Sequence, residues 1–156
     1  MLTRKETFFD RKLILDVPED FVELNDEEIN EFYKEERPNI VYGNKDRGAI
    51  LSISWLEQFI LDEDIERKIQ EYAVLYKCSI PKFGNCKIAK REINENKCVG
   101  IFHYTSSIEE RDFFNYIVLG CMDDRELLIT MHCNLKDCLI YAEKFMKTIN
   151  SIDFYI

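Results

Sequence analysis

The stretch over residues 97–134 constrains the fold of this chain more than any other part of the sequence. It contains three long apolar segments, and the last two are separated only by Asp123-Asp124, a polar pair suited to a tight hairpin turn. With these two residues as the loop, Met122 lies opposite Arg125, and both faces of the hairpin are largely apolar. Because an apolar face must be covered, the sequence predicts a sheet that is buried on both sides by helices.

Amphipathic helices and further strands flank this hairpin. The spacing of apolar residues predicts helices near residues 25–37, 62–77 and 134–150, and strands near 12–17, 39–42, 49–56 and 86–93. Strands in runs joined by short turns favour an antiparallel sheet over a doubly wound parallel one. We therefore predict a single α+β domain over residues 1–156, in which an antiparallel sheet of about six or seven strands is sandwiched between helices.

Three local patterns make more specific predictions. Asn25 and Glu28 have the spacing of a capping box at the start of the first helix. In residues 49–56 apolar side chains alternate with serines, which predicts a strand with one buried face near a sheet edge. In the last helix one apolar stripe, widened by Cys138 and Phe145, is expected to face the core. Its members are Leu135, Leu139, Ala142, Met146 and Ile149.

Several segments resemble a group of bacterial proteins with the PsbP-like fold, namely residues 15–21 (LDVPEDF), the helix after Asn25, residues 37–42 (RPNIVY), and the last hairpin with its closing helix. That fold is shared with the eukaryotic Ran-release factor Mog and the bacterial DcrB family. The resemblance covers nearly the whole chain and implies an α/β/α sandwich without implying a reaction. Members elsewhere bind protein partners, including Ran and secretion substrates. The signal or lipoprotein segment of many DcrB-like members has no counterpart here.

The charge of the chain is uneven. The formal net charge is −9, and all of it arises in residues 1–76, whereas residues 77–156 carry equal numbers of acidic and basic side chains. An acidic surface repels phosphate backbones and anionic bilayers, so we expect neither a nucleic acid nor a membrane as partner. No apolar run approaches the roughly 20 residues that cross a bilayer, and the charged N-terminus has no secretory apolar region. These features predict a cytoplasmic protein.

The residues that carry catalysis or bind metals are present without the spacing that such sites require. Most of the six cysteines lie within apolar patterns and are expected to be reduced and buried, with Cys133 and Cys138 close together. His132 and Cys133 are adjacent in a strand and point to opposite faces, which disfavours a shared metal ion or a thiol–imidazole pair. No glycine-rich phosphate loop occurs, and no cofactor is predicted.

Three functional hypotheses follow from these patterns. The first is a non-catalytic interaction module, resembling a chaperone or an immunity protein, whose acidic first helix steers a basic protein partner. Its candidate contact residues are Glu28, Glu31, Tyr33, Glu35 and Tyr42. The second is a small-molecule-binding module whose groove is lined by aromatic residues, namely Phe8, Phe9, Tyr155 and the segment 55–59. The third, ranked last, is a thiol-dependent hydrolase built on a cysteine and His103 or His132.

Overall fold

The computed structural model describes residues 2–155. Within these residues the helices are α1 Asp26–Phe32, α2 Ile65–Ser79 and α3 Cys138–Ser151, and short 3-10 turns precede α2 and α3. None of the described helices has the length and apolar character needed to span a membrane. The strands are β1 Thr3–Phe8, β2 Leu13–Pro18, β3 Val22–Glu23, β4 Ile40–Asn44, β5 Ala49–Phe59, β6 Gly84–Asn94, β7 Lys97–Ile108, β8 Arg111–Met122, β9 Arg125–Asn134 and β10 Asp153–Phe154.

The strands form two antiparallel sheets. The larger has seven strands in the order β3-β4-β5-β9-β8-β7-β6, and the smaller has three in the order β1-β2-β10. The predicted α+β class and antiparallel sheet are confirmed. The register of the β8–β9 hairpin is also as predicted, because Met122 pairs with Arg125 and both loop residues, Asp123 and Asp124, have positive φ angles.

Both faces of the large sheet are covered, but helices alone do not cover them. One face packs against α2, and α1 covers its end near β4 and β5. The other face packs against α3 and the small sheet side by side. The hairpin accordingly buries Tyr116, Ile129 and Met131 on the second face and Ile117 on the first. The sequence missed the second sheet because β1 is rich in charged residues and is held by pairing with β2.

The predicted core stripe of α3 was right at one edge, where Phe145 and Ile149 are fully buried, and wrong at its centre. Leu139 is 92% exposed, and Leu135 and Met146 are also exposed, whereas Tyr141 and Phe145 are fully buried. The helix carries two apolar stripes about a quarter-turn or more apart, and the stripe with the larger aromatic side chains faces the sheet. Burying aromatic rings removes more apolar surface from water, which accounts for this orientation.

The position of β5 also differs from the prediction. Two strands, β3 and β4, lie between it and the sheet edge. Ser52 is buried, and its hydroxyl bonds the Thr130 hydroxyl on β9. The alternation of serine and apolar residues therefore reflects two covered faces, one of which accepts small polar groups that are hydrogen-bonded.

Asp20 ties the loop after β2 to α3. The Tyr141 hydroxyl donates a hydrogen bond to the Asp20 carboxylate at 2.6 Å. Asn44 Nδ2 and Lys144 Nζ donate to the same carboxylate at 2.9 Å and 3.1 Å. Burial by itself raises the pKa of Asp20, but the hydrogen bonds from these three residues outweigh it, and the net pKa is lowered.

This network predicts a pH dependence of stability. Because the pKa of Asp20 is lower in the folded chain than its unfolded value of about 3.9, its stabilisation is complete above about pH 4 and is lost as the pH falls through the folded pKa. We expect the free energy of unfolding to decline below about pH 4 more steeply in the wild type than in Asp20→Asn. Urea denaturation across this range measures both slopes, and parallel slopes would contradict the prediction.

Candidate functional site

A groove of 820 Å³ lies between α1 and α2 on one face of the large sheet. We call it the α1–α2 groove. Its floor is formed by residues of β5 and β9, namely Ser52, Ser54, Leu56, Glu126, Leu128 and Thr130, and the exposed Glu57 and Gln58 lie at its rim. One wall is α2, with Lys68, Glu71, Tyr72, Leu75 and Tyr76, and the other is the segment after α1, with Tyr33, Glu36, Arg37 and Pro38. The groove remains open because α2 covers β6, β7 and β8 and does not extend over β5.

The floor contains a buried carboxylate. Glu126 is only 2% exposed, and the Tyr72 hydroxyl donates to its Oε2 at 2.6 Å. Burial raises the pKa of Tyr72, and the adjacent Glu126 carboxylate raises it further, so the phenol stays protonated and acts as a donor. The hydrogen bond holds α2 to β9 and directs one carboxylate oxygen toward α2.

Hydroxyl groups surround this pair. Ser52 and Thr130 bond each other on the floor, and the two tyrosines Tyr33 and Tyr76 stand on opposite walls. Burial raises the pKa of both tyrosines, although the neighbouring Ser52 partly offsets the shift at Tyr33. Hydroxyl groups and aromatic rings around a buried carboxylate are suited to binding a polar or cationic group.

The acidic residues on and just after α1 have two different roles. Glu28 completes the capping box with Asn25, as predicted, and its carboxylate binds Lys45 Nζ at 2.7 Å. The hydrogen bond and charge of Lys45, with the amide of Asn25, lower the pKa of Glu28. Glu31 and Glu35 are exposed, and neither forms an ion pair with another described residue. Glu28 is thus engaged in the fold, while the other two are free to act over a distance.

The two predicted aromatic contacts are separated by the sheet. Tyr33 lines the α1–α2 groove, next to the acidic helix. Tyr42 is 8% exposed and lies on the opposite face, where its ring packs against Phe8 and Arg4. The prediction that Tyr42 and the acidic helix share one contact surface was therefore wrong. Alternate residues of β4 point to opposite faces, and Tyr42 points away from the face that α1 covers.

The aromatic groove predicted from the sequence does not form. Phe8 is buried in the core, and Phe9 packs on Trp55 with ring centroids 5.3 Å apart. Trp55 Nε1 donates to the Met122 carbonyl at 3.0 Å, and Arg125 Cζ lies 4.0 Å from the Trp55 ring. These contacts close the end of the sheet. Of the predicted segment, only residues 56–58 line the α1–α2 groove.

The thiols and imidazoles are far from an activated arrangement. Only Cys121 and Cys133 are buried, whereas Cys78 and Cys86 are exposed and Cys98 and Cys138 are half-buried, so the prediction that most cysteines are buried was wrong. Desolvation raises the pKa of Cys86, Cys98, Cys121 and Cys133, the last to about 12. Burial likewise lowers the pKa of His103 and His132, the latter to about 4, so both imidazoles are neutral at pH 7. Cys133 and Cys138 pack in one cluster as free thiols. Among the described residues no cluster of three metal-ligating side chains occurs.

His132 lines a second cleft, of 1040 Å³, on the other side of α1. Its apolar lining comes from Phe32, Phe113 and Leu135. Two of its four cations are engaged, because Lys45 binds Glu28 and Arg47 lies 3.4 Å from Asp137, whereas Arg111 and Lys136 form no ion pair with a described residue. Unlike the α1–α2 groove, this cleft has no buried carboxylate among its lining residues.

No family model and no curated protein matches the chain, but solved structures match nearly all of it. The solution structure of the cyanobacterial PsbP protein CyanoP from Synechocystis is 9% identical, with a TM-score of 0.60 over 98% of this chain and 92% of that one. The fold is PsbP-like. LpqN from Mycobacterium tuberculosis, described as involved in cell envelope biogenesis, is 10% identical, with a TM-score of 0.58 over 99% of this chain and 91% of that one. At such identities the likeness concerns the PsbP-like fold alone.

The hydrogen bond between Tyr72 and Glu126 was not predicted from the sequence. Glu126 is a carboxylate inside an otherwise apolar strand, and that was the available signal, because a charge is rarely buried without a reason. Tyr72 lay on a helical stripe that was attributed to the core, and 54 residues separate it from Glu126.

Proposed function

We propose that this protein is a non-catalytic cytoplasmic interaction module that binds a basic protein partner through the acidic surface of α1 and the adjoining α1–α2 groove. The observation that supports this proposal is a groove with Glu126 on its floor and Glu36 on its wall. Glu36 continues along the chain from the exposed carboxylates Glu27, Glu31 and Glu35 on and after α1. The raised pKa values of the buried thiols favour binding over thiol chemistry.

The two parts of the surface contribute differently. Exposed carboxylates attract a basic partner over about one Debye length, which raises the association rate and makes it sensitive to salt. Each exposed ion pair adds only about 0.2–1 kcal/mol to the affinity. The affinity must therefore come from the groove, where Tyr33, Tyr72 and Tyr76 offer aromatic contact area.

A small polar molecule is the second candidate ligand. The groove has the size of a ligand pocket and presents several hydroxyl groups around one carboxylate. Under this alternative the acidic residues of α1 serve solubility, and binding is independent of their charge.

Charge reversal on α1 tests the primary proposal. The variant Glu27→Lys/Glu31→Lys/Glu35→Lys leaves the capping pair of Asn25 and Glu28 intact. We expect quantitative capture from the native cytoplasm to lose the partner that the wild type enriches. With the purified partner, association at low salt is expected to slow by about tenfold, and the difference is expected to shrink at high salt.

A matched control carries the same change in charge elsewhere. Glu95, Glu109 and Glu110 are exposed, lie in turns at the ends of β6 and β7, and are remote from the groove lining. The variant with lysine at all three should capture the partner as the wild type does. Equal capture by both triple variants and the wild type would show that the acidic surface of α1 is only solvated.

A further inference from the structure

The α1–α2 groove buries a carboxylate without giving it a cation. Among the described residues, only the Tyr72 hydroxyl hydrogen-bonds the Glu126 side chain, at Oε2. The basic residues that line the groove are engaged elsewhere, since Lys68 lies 3.7 Å from Glu71 and Arg37 lies 2.6 Å from Asp26. A buried carboxylate is costly unless a positive charge or several donors compensate it. Glu126 is therefore prepared to accept a positive charge from another molecule.

The surroundings of Glu126 suit a cation carried on an apolar stem. Tyr33, Tyr72 and Tyr76 lie on the walls, and the faces of aromatic rings attract cations. Leu75 and Leu128 supply apolar surface along the same groove, and an aliphatic stem buries its methylenes against such surface while its charged end reaches the carboxylate.

We infer that the α1–α2 groove binds one primary alkylammonium group, with Glu126 as its counter-ion. This inference rests on the proposed function in that the group is a lysine side chain of the basic partner. Tyr72 decides between lysine and arginine. Its hydroxyl bonds Oε2, so Oε1 is the carboxylate oxygen that no described residue hydrogen-bonds, and one such oxygen suits the point charge of an ammonium. A guanidinium binds a carboxylate best through two parallel hydrogen bonds and would need both oxygens.

The probes are three capped amino acids, the N-acetyl methylamides of lysine, arginine and norleucine, each titrated into the labelled protein and followed by NMR. We expect the lysine probe to shift the amide resonances of the groove floor. The norleucine probe, which has the same stem without the charge, is expected to bind at least about tenfold more weakly. Equal affinities of these two probes would overturn the inference.

Two variants test the role of each partner. Glu126→Gln is expected to lower the affinity for the lysine probe about tenfold. Glu57→Gln, at the exposed rim of the groove, should change this affinity less than about twofold. Tyr72→Phe frees the second carboxylate oxygen and is expected to raise arginine affinity relative to lysine. If the hydrogen bond of Tyr72 is purely structural, the ratio of arginine affinity to lysine affinity is the same in Tyr72→Phe as in the wild type. That result would refute the inference even if the Glu126→Gln variant did not fold.

The source of the ammonium group is distinguished by a further pair of probes. A pentapeptide with lysine at its centre represents a protein partner, and putrescine represents a free amine. Tighter binding of the peptide supports the assignment of the ammonium group to a lysine side chain of the partner. Tighter binding of putrescine would mean that the ligand is a free amine, and would contradict the lysine assignment. If the lysine probes bind but charge reversal on α1 leaves partner capture unchanged, the proposed function fails while the cation site stands.

Discussion

Replacing Phe145 with alanine is expected to lower the free energy of unfolding by about 3–5 kcal/mol. Phe145 is fully buried, and its ring lies 5.7 Å from Tyr141, 6.3 Å from Phe21 and 6.4 Å from Tyr116. These rings come from α3, the loop after β2 and the large sheet, so a cavity at this position weakens the packing among all three segments. Urea denaturation with a linear extrapolation measures the loss.

Leu139→Ala is the matched control on the same helix. Because Leu139 is 92% exposed, its truncation leaves no cavity, and we expect a change within about 0.5 kcal/mol. The pair of variants tests the orientation of α3 directly. A larger loss at Leu139 than at Phe145 would mean that the helix faces the core with the side that carries Leu139, and would contradict the structure.

Gly100→Ala is expected to destabilise the protein by about 1–3 kcal/mol. A Cβ atom at Gly100 would lie 2.6 Å from Ile69 Cβ and 2.9 Å from Ile69 Cγ2, so α2 would have to move away from β7. The displaced side chain is a branched residue held in the core, which has few alternative rotamers. Thermal or urea unfolding measures the effect.

Two further variants isolate the cause. Gly84→Ala, on the edge strand β6, places its Cβ no closer than 3.6 Å to Thr105 Oγ1, and we expect a change within about 0.5 kcal/mol. If the clash with Ile69 is the cause, the cost of Gly100→Ala should be smaller in an Ile69→Ala background than in the wild type. An unchanged cost in that background would assign the loss to strand propensity instead.

The close contact at Gly100 and the α1–α2 groove both depend on where α2 lies on the large sheet. Gly100 lets α2 approach β7 closely, and this places α2 over β6, β7 and β8. On this face α2 then reaches β9 only at its edge, where Tyr72 bonds Glu126, and α1 covers only the end of β5 near β4. The α1–α2 groove is the space that remains, so its width depends on the same close contact that holds α2.

Several features were predictable because they depend on residues near each other in the chain. The capping box of Asn25 and Glu28 spans three residues, and the β8–β9 register is set by the two-residue loop Asp123-Asp124. The alternation along β8 and β9 then identified both faces of the hairpin as buried. From these elements the antiparallel sheet could be predicted, whereas the PsbP-like fold was implied by the resemblance of whole segments such as residues 15–21 and 37–42.

Other features depend on contacts between distant segments. In α3 both apolar stripes have helical spacing, and only the packing of Tyr141 and Phe145 against the sheet selects the one that is buried. The charged strand β1 has no apolar pattern, and its pairing with β2 supplies the hydrogen bonds that define it. Tyr42 and Tyr33 are near in sequence, yet the sheet places them on opposite faces.

The sequence by itself determined the class of fold, the main hairpin, the start of α1 and the concentration of negative charge in residues 1–76, because periodicity, turn chemistry and composition are local properties. The tertiary structure alone decided which side of α3 is buried, that a second sheet covers one face, and that Tyr72 meets Glu126 beneath an open groove. These outcomes depend on the relative positions of elements more than 50 residues apart, and no local pattern encodes such positions.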